Sequence, residues 1–255
     1  MDIQQAIFTS LDRSQVRGYQ LVACSDGIDR NIARELHRWS PSSMVSDAPA
    51  DWTINFYPVC QDYVAVARTA IGGPEYSNRG ASQVVTITAI LHNRQFAAYD
   101  NNAVLFASTA LSLGWLRIPE EMPRQLDTFQ VPSIPLASSL GFAKSVQPDV
   151  APLGETTSGR ADNSSLAMSS KISAEISEQL VNRQRVAIVG AQSPIELIAS
   201  LISSIPHEKR REVSFTTGLP PAPHRPFQAH FLRQTNPVLS QMLKSAGINV
   251  IPLSP

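Results

Sequence analysis

The chain has little charge and no surplus of either sign. Of its 255 residues 16% are charged, and 21 basic side chains balance 21 acidic ones. Proteins that track a phosphate backbone carry a basic excess, so the composition disfavours nucleic acid as a main partner. Cysteine is nearly absent: Cys24 and Cys60 are too few for a disulfide framework. Both lie in apolar, strand-like runs, where a free cysteine packs as a small hydrophobe, and this usage predicts a reducing, cytoplasmic setting. No apolar run reaches the roughly 18 residues of a membrane span. The opening MDIQQAIFTSLDR has neither the basic start nor the apolar core of a signal peptide.

Motifs of known chemistry are missing too. The chain has no G-x-x-x-x-G-K-[ST] phosphate cradle, no G-x-G-x-x-G, no H-E-x-x-H and no G-x-S-x-G. His37, His92, His207, His224 and His230 show no metal-ligand spacing with the cysteines. The residues therefore name no catalytic group, no metal site and no cofactor.

What is present is 43% hydrophobic, enough for a core, and patterned as an α/β (or α+β) protein in two parts. Residues 1–118 read as an N-terminal mixed-sheet domain. Strands are predicted over 3–9, 19–24 (apolar enough to be central), 51–57, 62–69, 82–92 and 115–118. Helices are predicted over 28–39, capped by Ser25-Asp26-Gly27, and over 100–114. Residues 119–165 read as a Pro/Ser/Gly-rich linker, with prolines at 119, 123, 132, 135, 148 and 152. Residues 166–255 read as a smaller, separately packed α/β domain. It has helices over 169–182, 194–205 and 237–246, and strands over 185–189, 213–217, 227–232 and 248–251. Ser193 and Pro194 open the second of these helices. The run from 185 to 217 is a βαβ unit, which closes with parallel strands.

Three segments offer binding chemistry. The loop 72–80, GGPEYSNRG, sets Glu75, Tyr76, Asn78 and Arg79 between glycines, either as a binding loop on a rigid scaffold or as an ordinary hairpin end. The run HEKRRE places Arg210 and Arg211 where they could pair with carboxylates or phosphates, or form a solvated edge. The Pro-rich loop after Gly218 holds His224 and Arg225 between prolines, which lower the entropy cost of presenting side chains. Arg79 and Arg225 are expected to be exposed.

Several short motifs resemble one bacterial family: T-S-L, then R-G-Y-Q and C-S-D-G before a helix, N-R-G before a long strand, and R-x-x-V-S-F-T-T-G-L followed by R-P-F. The chain is similar, over roughly residues 1–118 and 166–235, to the GTPase-associated proteins of three-component conflict systems. Those have an N-terminal domain, a middle domain and often a further C-terminal region, so a further region here is an open question. The resemblance implies a partner of a GTPase, not a GTPase. It marks Arg17, Gly18, Ser25, Gly27, Asn78, Arg79 and Gly80, then Thr216, Thr217, Gly218, Arg225 and Pro226, and it names no catalytic residue. The expectation is a non-enzymatic cytoplasmic adaptor or sensor that binds a protein partner, possibly a GTPase or its associates. The alternative is an unrecognised hydrolase using Cys24 or His92 with the 72–80 loop.

Overall fold

A computed structural model describes residues 1–13, 16–44, 52–74, 82–133 and 163–253. The architecture is mixed α/β. The strands are β1 (Asp2–Arg13), β2 (Val16–Cys24), β3 (Trp52–Val59), β4 (Tyr63–Pro74), β5 (Ser82–His92), β6 (Phe129–Gln130), β7 (Arg185–Val189), β8 (Phe215–Thr216), β9 (Ala229–Leu232) and β10 (Ile248–Pro252). The helices are α1 (Arg30–Trp39), α2 (Asn93–Ala97), α3 (Ala103–Ser112), α4 (Asn163–Val181), α5 (Pro194–Ser204) and α6 (Pro237–Ser245).

All these strands belong to one sheet, in the order β10-β7-β9-β8-β3-β4-β5-β1-β2, with β6 against the start of β1. From β10 to β8 the neighbours are parallel, and from β8 to β2 they are antiparallel. The change falls at β3 and β8, where Asn55 pairs with Thr216 and Phe56 with Phe215. Residues 1–118 and 166–255, expected as separate units, both contribute strands to this sheet. The two patterned parts of the chain share a sheet, and one core cluster runs from Ile3, Phe56 and Val85 to Phe215, Ile188 and Phe231.

Helix placement follows the side-chain alternation of the strands. Ile54, Phe56, Val64 and Val66 face α2–α5, among them Phe96, Phe106, Ile198 and Leu201. Tyr57, Val59, Ala65, Ala67 and Ile90 face the other way, against Ile32, Leu36 and Trp39 of α1 and against Leu219 and Phe227 of the Pro-rich loop. Leu243 of α6 packs on that second side further along, with Ala187 and Leu232. Buried on both faces, β5 is hydrophobic from Val84 to Leu91 with few interruptions.

Several expectations change. β2 is an edge strand, not a central one, and its residues 18–22 are half-exposed. The α1 cap is Asp29, whose carboxylate accepts from the Asn31 and Ile32 amides at 2.8 and 2.9 Å. Residues 115–118 form no strand, because Gly114 and Leu116 have left-handed backbones, φ 88° and 58°. The linker assigned to 119–165 does not begin at 119: Phe129 stacks on Trp115 at 4.8 Å, and the Tyr99 hydroxyl donates to Pro132 O at 2.8 Å. Residues 134–162 of that segment lie outside the described residues. Ser193 precedes α5 as expected, yet its side chain makes no capping bond. β7 and β8 are parallel, with β9 between them. Cys60 is exposed at the β3–β4 turn with φ 53°, and only Cys24 is partly covered.

Candidate partner-binding cleft

The connection from β8 to β9 is held down at both ends. Thr216 and Thr217 are buried. The Thr217 hydroxyl accepts from the Ile54 amide at 2.9 Å, and the Thr217 amide donates to Ile54 O at 3.0 Å. Thr216 Oγ1 donates to Asn55 Oδ1 at 2.6 Å and accepts from the Leu219 amide at 2.9 Å. The chain of bonds continues from Asn55 Nδ2 to Thr69 at 3.0 Å, and between Thr69 and Thr86 at 2.9 Å. A satisfied buried network of this kind fixes geometry. At the far end Gln228 and Ser214 exchange bonds: the Ser214 amide donates to Gln228 Oε1 at 2.9 Å and the Gln228 amide to Ser214 Oγ at 3.1 Å. Thr216 and Thr217 thus position the loop and present nothing at the surface.

The pinned loop forms one wall of a cleft of about 680 Å³, with Pro226 and Gln228 facing it. Pro58, Gln61, Asp62 and Tyr63 of the β3–β4 turn line it as well, together with Trp39, Asn93, Arg183, Arg211 and Glu212. Trp39 is braced by Tyr57 and Phe227, each 4.8 Å away between ring centroids. The cleft therefore has rigid aromatic and proline surfaces ringed by polar groups, a composition common to binding pockets.

Its charges divide into used and unused. Glu212 pairs with Arg183 at 3.0 Å and Lys209 at 3.5 Å. The Arg183 hydrogen bond, then the Lys209 charge, hold its carboxyl below the usual carboxylate range. Exposed Arg211 makes no hydrogen bond or ion pair among the described residues. An exposed, unpaired guanidinium lining a braced cleft is free to take a carboxylate in bidentate geometry.

The other expected site residues fare differently. Arg210 is committed to the fold: its guanidinium donates to Ile205 O, Asp100 O and Ser203 O at 2.9, 3.1 and 3.0 Å. It closes the end of α5 by satisfying terminal carbonyls. His224 is exposed, but Arg225 is buried at 6% exposure, which corrects its expected presentation to solvent. The loop folds back so that Pro226 and His224 face outward while Arg225 and Phe227 turn in. Gly72, Gly73 and Pro74 prolong β4 instead of opening the loop, and Glu75, Tyr76, Asn78 and Arg79 lie outside the described residues. Sequence reading missed Trp39, Asp62 and Arg183 as cleft residues. The one available signal was the 58–61 turn, which links two alternating strands.

Among the described residues, Cys24, His92 and the ends of the 72–80 loop lie at separate levels of the sheet. Tyr63 pairs with His92 at one end of the β4–β5 hairpin, and Pro74 with Ser82 at the other. At about 3.3 Å per residue, the ten steps from Ser82 to His92 span roughly 33 Å. Cys24 pairs with Ala6, which pairs with Thr88, about 20 Å along the strand from the level of Ser82. His92 caps α2, its Nδ1 accepting from the Arg94 amide at 3.1 Å. Burial pushes the Cys24 thiol up, away from the thiolate that would attack.

No helix among the described residues is long and apolar enough to cross a membrane. Comparison with curated proteins and with solved structures gives no match. One family model matches, over residues 2–128: GTPase-associated protein 1, N-terminal domain type 2. That span runs from β1 through α3 and contributes Trp39, Pro58, Asp62, Tyr63 and Asn93 to the cleft. The chain thus carries, in its β1–α3 region, an N-terminal domain of the GTPase-associated protein 1 family.

Proposed function

We propose that the protein is a non-enzymatic cytoplasmic adaptor or sensor that binds a protein partner, a GTPase or a protein associated with one, through the cleft between the β3–β4 turn and the β8–β9 loop. The observation that carries this reading is the joint construction of the cleft. Its walls come from the family-matched region and from residues 183–228 alike, so binding there would report on both parts of the chain at once. The family name supports a GTPase-related partner, and unpaired Arg211 supplies the kind of anchor that dominates protein interfaces. A role in a bacterial conflict system belongs to the same proposal.

The test is calorimetry of the purified chain against candidate GTPases from the host proteome. A saturable one-to-one heat is expected with one of them, and none with GTP alone. Saturable GTP binding without GTPase binding would replace the adaptor reading by a nucleotide-binding one.

A further inference from the structure

Between its pinned ends the β8–β9 loop carries a buried arginine with a single side-chain partner. The Arg225 guanidinium meets no carboxylate among the described residues. Its one hydrogen bond there is donated by Nη1 to His224 Nε2 at 2.9 Å. A guanidinium only donates, so the imidazole nitrogen accepts. A neutral ring with its proton on Nδ1 accepts at Nε2. An imidazolium carries N–H at both nitrogens and accepts at neither. The contact therefore exists only while His224 is uncharged.

The bond sits where it bears on the cleft. Arg225 lies between exposed His224 and Pro226, and Pro226 lines the cleft. The Arg225 amide donates to Ala222 O at 3.0 Å, and the Arg225 carbonyl accepts from the Phe227 amide at 2.8 Å. The backbone on both sides of Pro226 is thus tied to the residue whose side chain His224 holds. Prolines at 220, 221, 223 and 226 stiffen the same turn, so a displaced Arg225 carries Pro226 with it.

The charged groups facing His224 are Arg225 of its own loop and Arg38 of α1, and both oppose its protonation. Glu35, also on α1, is 3.7 Å from Arg38. Burial first, then these two cations, hold the His224 pKa below 6.5. His230, 5.9 Å from Phe227 between ring centroids, stays neutral down to about pH 4. Once His224 takes a proton, two cations stand side by side, and a buried guanidinium has lost its acceptor. That state is strongly unfavourable, and it is relieved when Arg225 turns out to solvent.

We propose that His224 and Arg225 form a proton-released latch on the cleft: neutral His224 keeps Arg225 inside and Pro226 in the cleft wall, and protonated His224 expels Arg225 and displaces that wall. A partner held at neutral pH is then released in mild acid. That last consequence rests on the adaptor reading, and the latch itself does not.

NMR between about pH 7.5 and about pH 5 tests the latch without any partner, over a range in which folded His230 stays neutral. The His224 ring, the Arg225 Nε–H and the hydrogen-exchange protection of the Arg225 and Phe227 amides are followed, with the β5 amides as the reference for global opening. As the His224 ring titrates, protection of the two loop amides should fall at least about tenfold relative to β5, and the Arg225 Nε–H should shift with the same midpoint. His224→Gln, which offers an acceptor that does not titrate, should abolish both changes. A His224 ring that stays neutral to about pH 5, loop protection that follows β5 throughout, or a fall that survives in His224→Gln overturns the latch. A chain that shows these changes and binds no GTPase loses the adaptor reading and keeps the latch.

Discussion

Replacing Phe56 by alanine is expected to destabilise the entire chain by about 3–5 kcal/mol, and to do so in one transition. Phe56 is fully buried, stacks on Phe96 at 5.2 Å and leans on Phe215 at 5.8 Å. It also sits at the hinge of the sheet, paired with Val66 of β4 on one side and Phe215 of β8 on the other. Removing the ring deletes contacts to α2 and to the parallel half together, and a close-packed interior fills such a void only in part. Denaturant unfolding followed by circular dichroism and by hydrogen exchange checks the outcome. Equal loss of protection in β5 and in β7 is the expected result. Two separate transitions, with β7 unaffected, would mean that the two parts of the chain fold alone in spite of the shared sheet.

The second large effect is a dependence of stability on pH that His230 imposes. Burial first, and then the charges of Arg185 and Arg225, push its pKa from 6.5 down to about 4. The unfolded chain takes up a proton near pH 6.5 that the folded chain refuses until about pH 4. Within that window the unfolded state binds more protons, so stability falls as the pH falls, by about 1.4 kcal/mol per pH unit. The full loss is about 3 kcal/mol, and it levels off once the folded state also accepts the proton. His224 is lowered as well, by burial and then by Arg225 and Arg38, and adds to the same slope. The measurement is therefore a difference. Urea unfolding between pH 7 and 4 should show the steep loss in wild type and a clearly shallower one in His230→Phe. Identical slopes would remove His230 from the account.

Much of this molecule was legible where a physical signal is local. The strand from 82 to 92 announced itself by β-branched residues, and the strand–turn–helix at Arg185–Ser204 by an apolar run followed by Ser193-Pro194. Other features depend on partners far away in sequence. β8 has only two residues, and becomes a strand because Asn55 and Phe56 of β3 lie beside it, 161 and 159 positions earlier by subtraction of residue numbers. Nothing near Phe215 encodes that pairing. The Pro-rich loop was recognised as rigid, but rigidity does not state direction. Whether Arg225 points out or in is set by the Ala222–Arg225 turn and by the room beside Phe227. The charge run at 207–212 hid two roles in adjacent residues: Arg210 bonds the end of α5, and Arg211 faces the cleft.

The central claim is that the cleft, and Arg211 within it, engages the partner. It is tested most directly by the affinity of Arg211→Ala for the GTPase that the wild-type chain binds in calorimetry, measured beside its melting temperature. Arg211 is exposed and unpaired among the described residues, so the variant should melt within about 1 kcal/mol of wild type. An interface arginine of this kind costs about 2 kcal/mol or more when truncated, which is roughly a thirtyfold weaker complex. Unchanged melting with that loss is the result the account predicts. Unchanged affinity in a normally folded Arg211→Ala protein would contradict it.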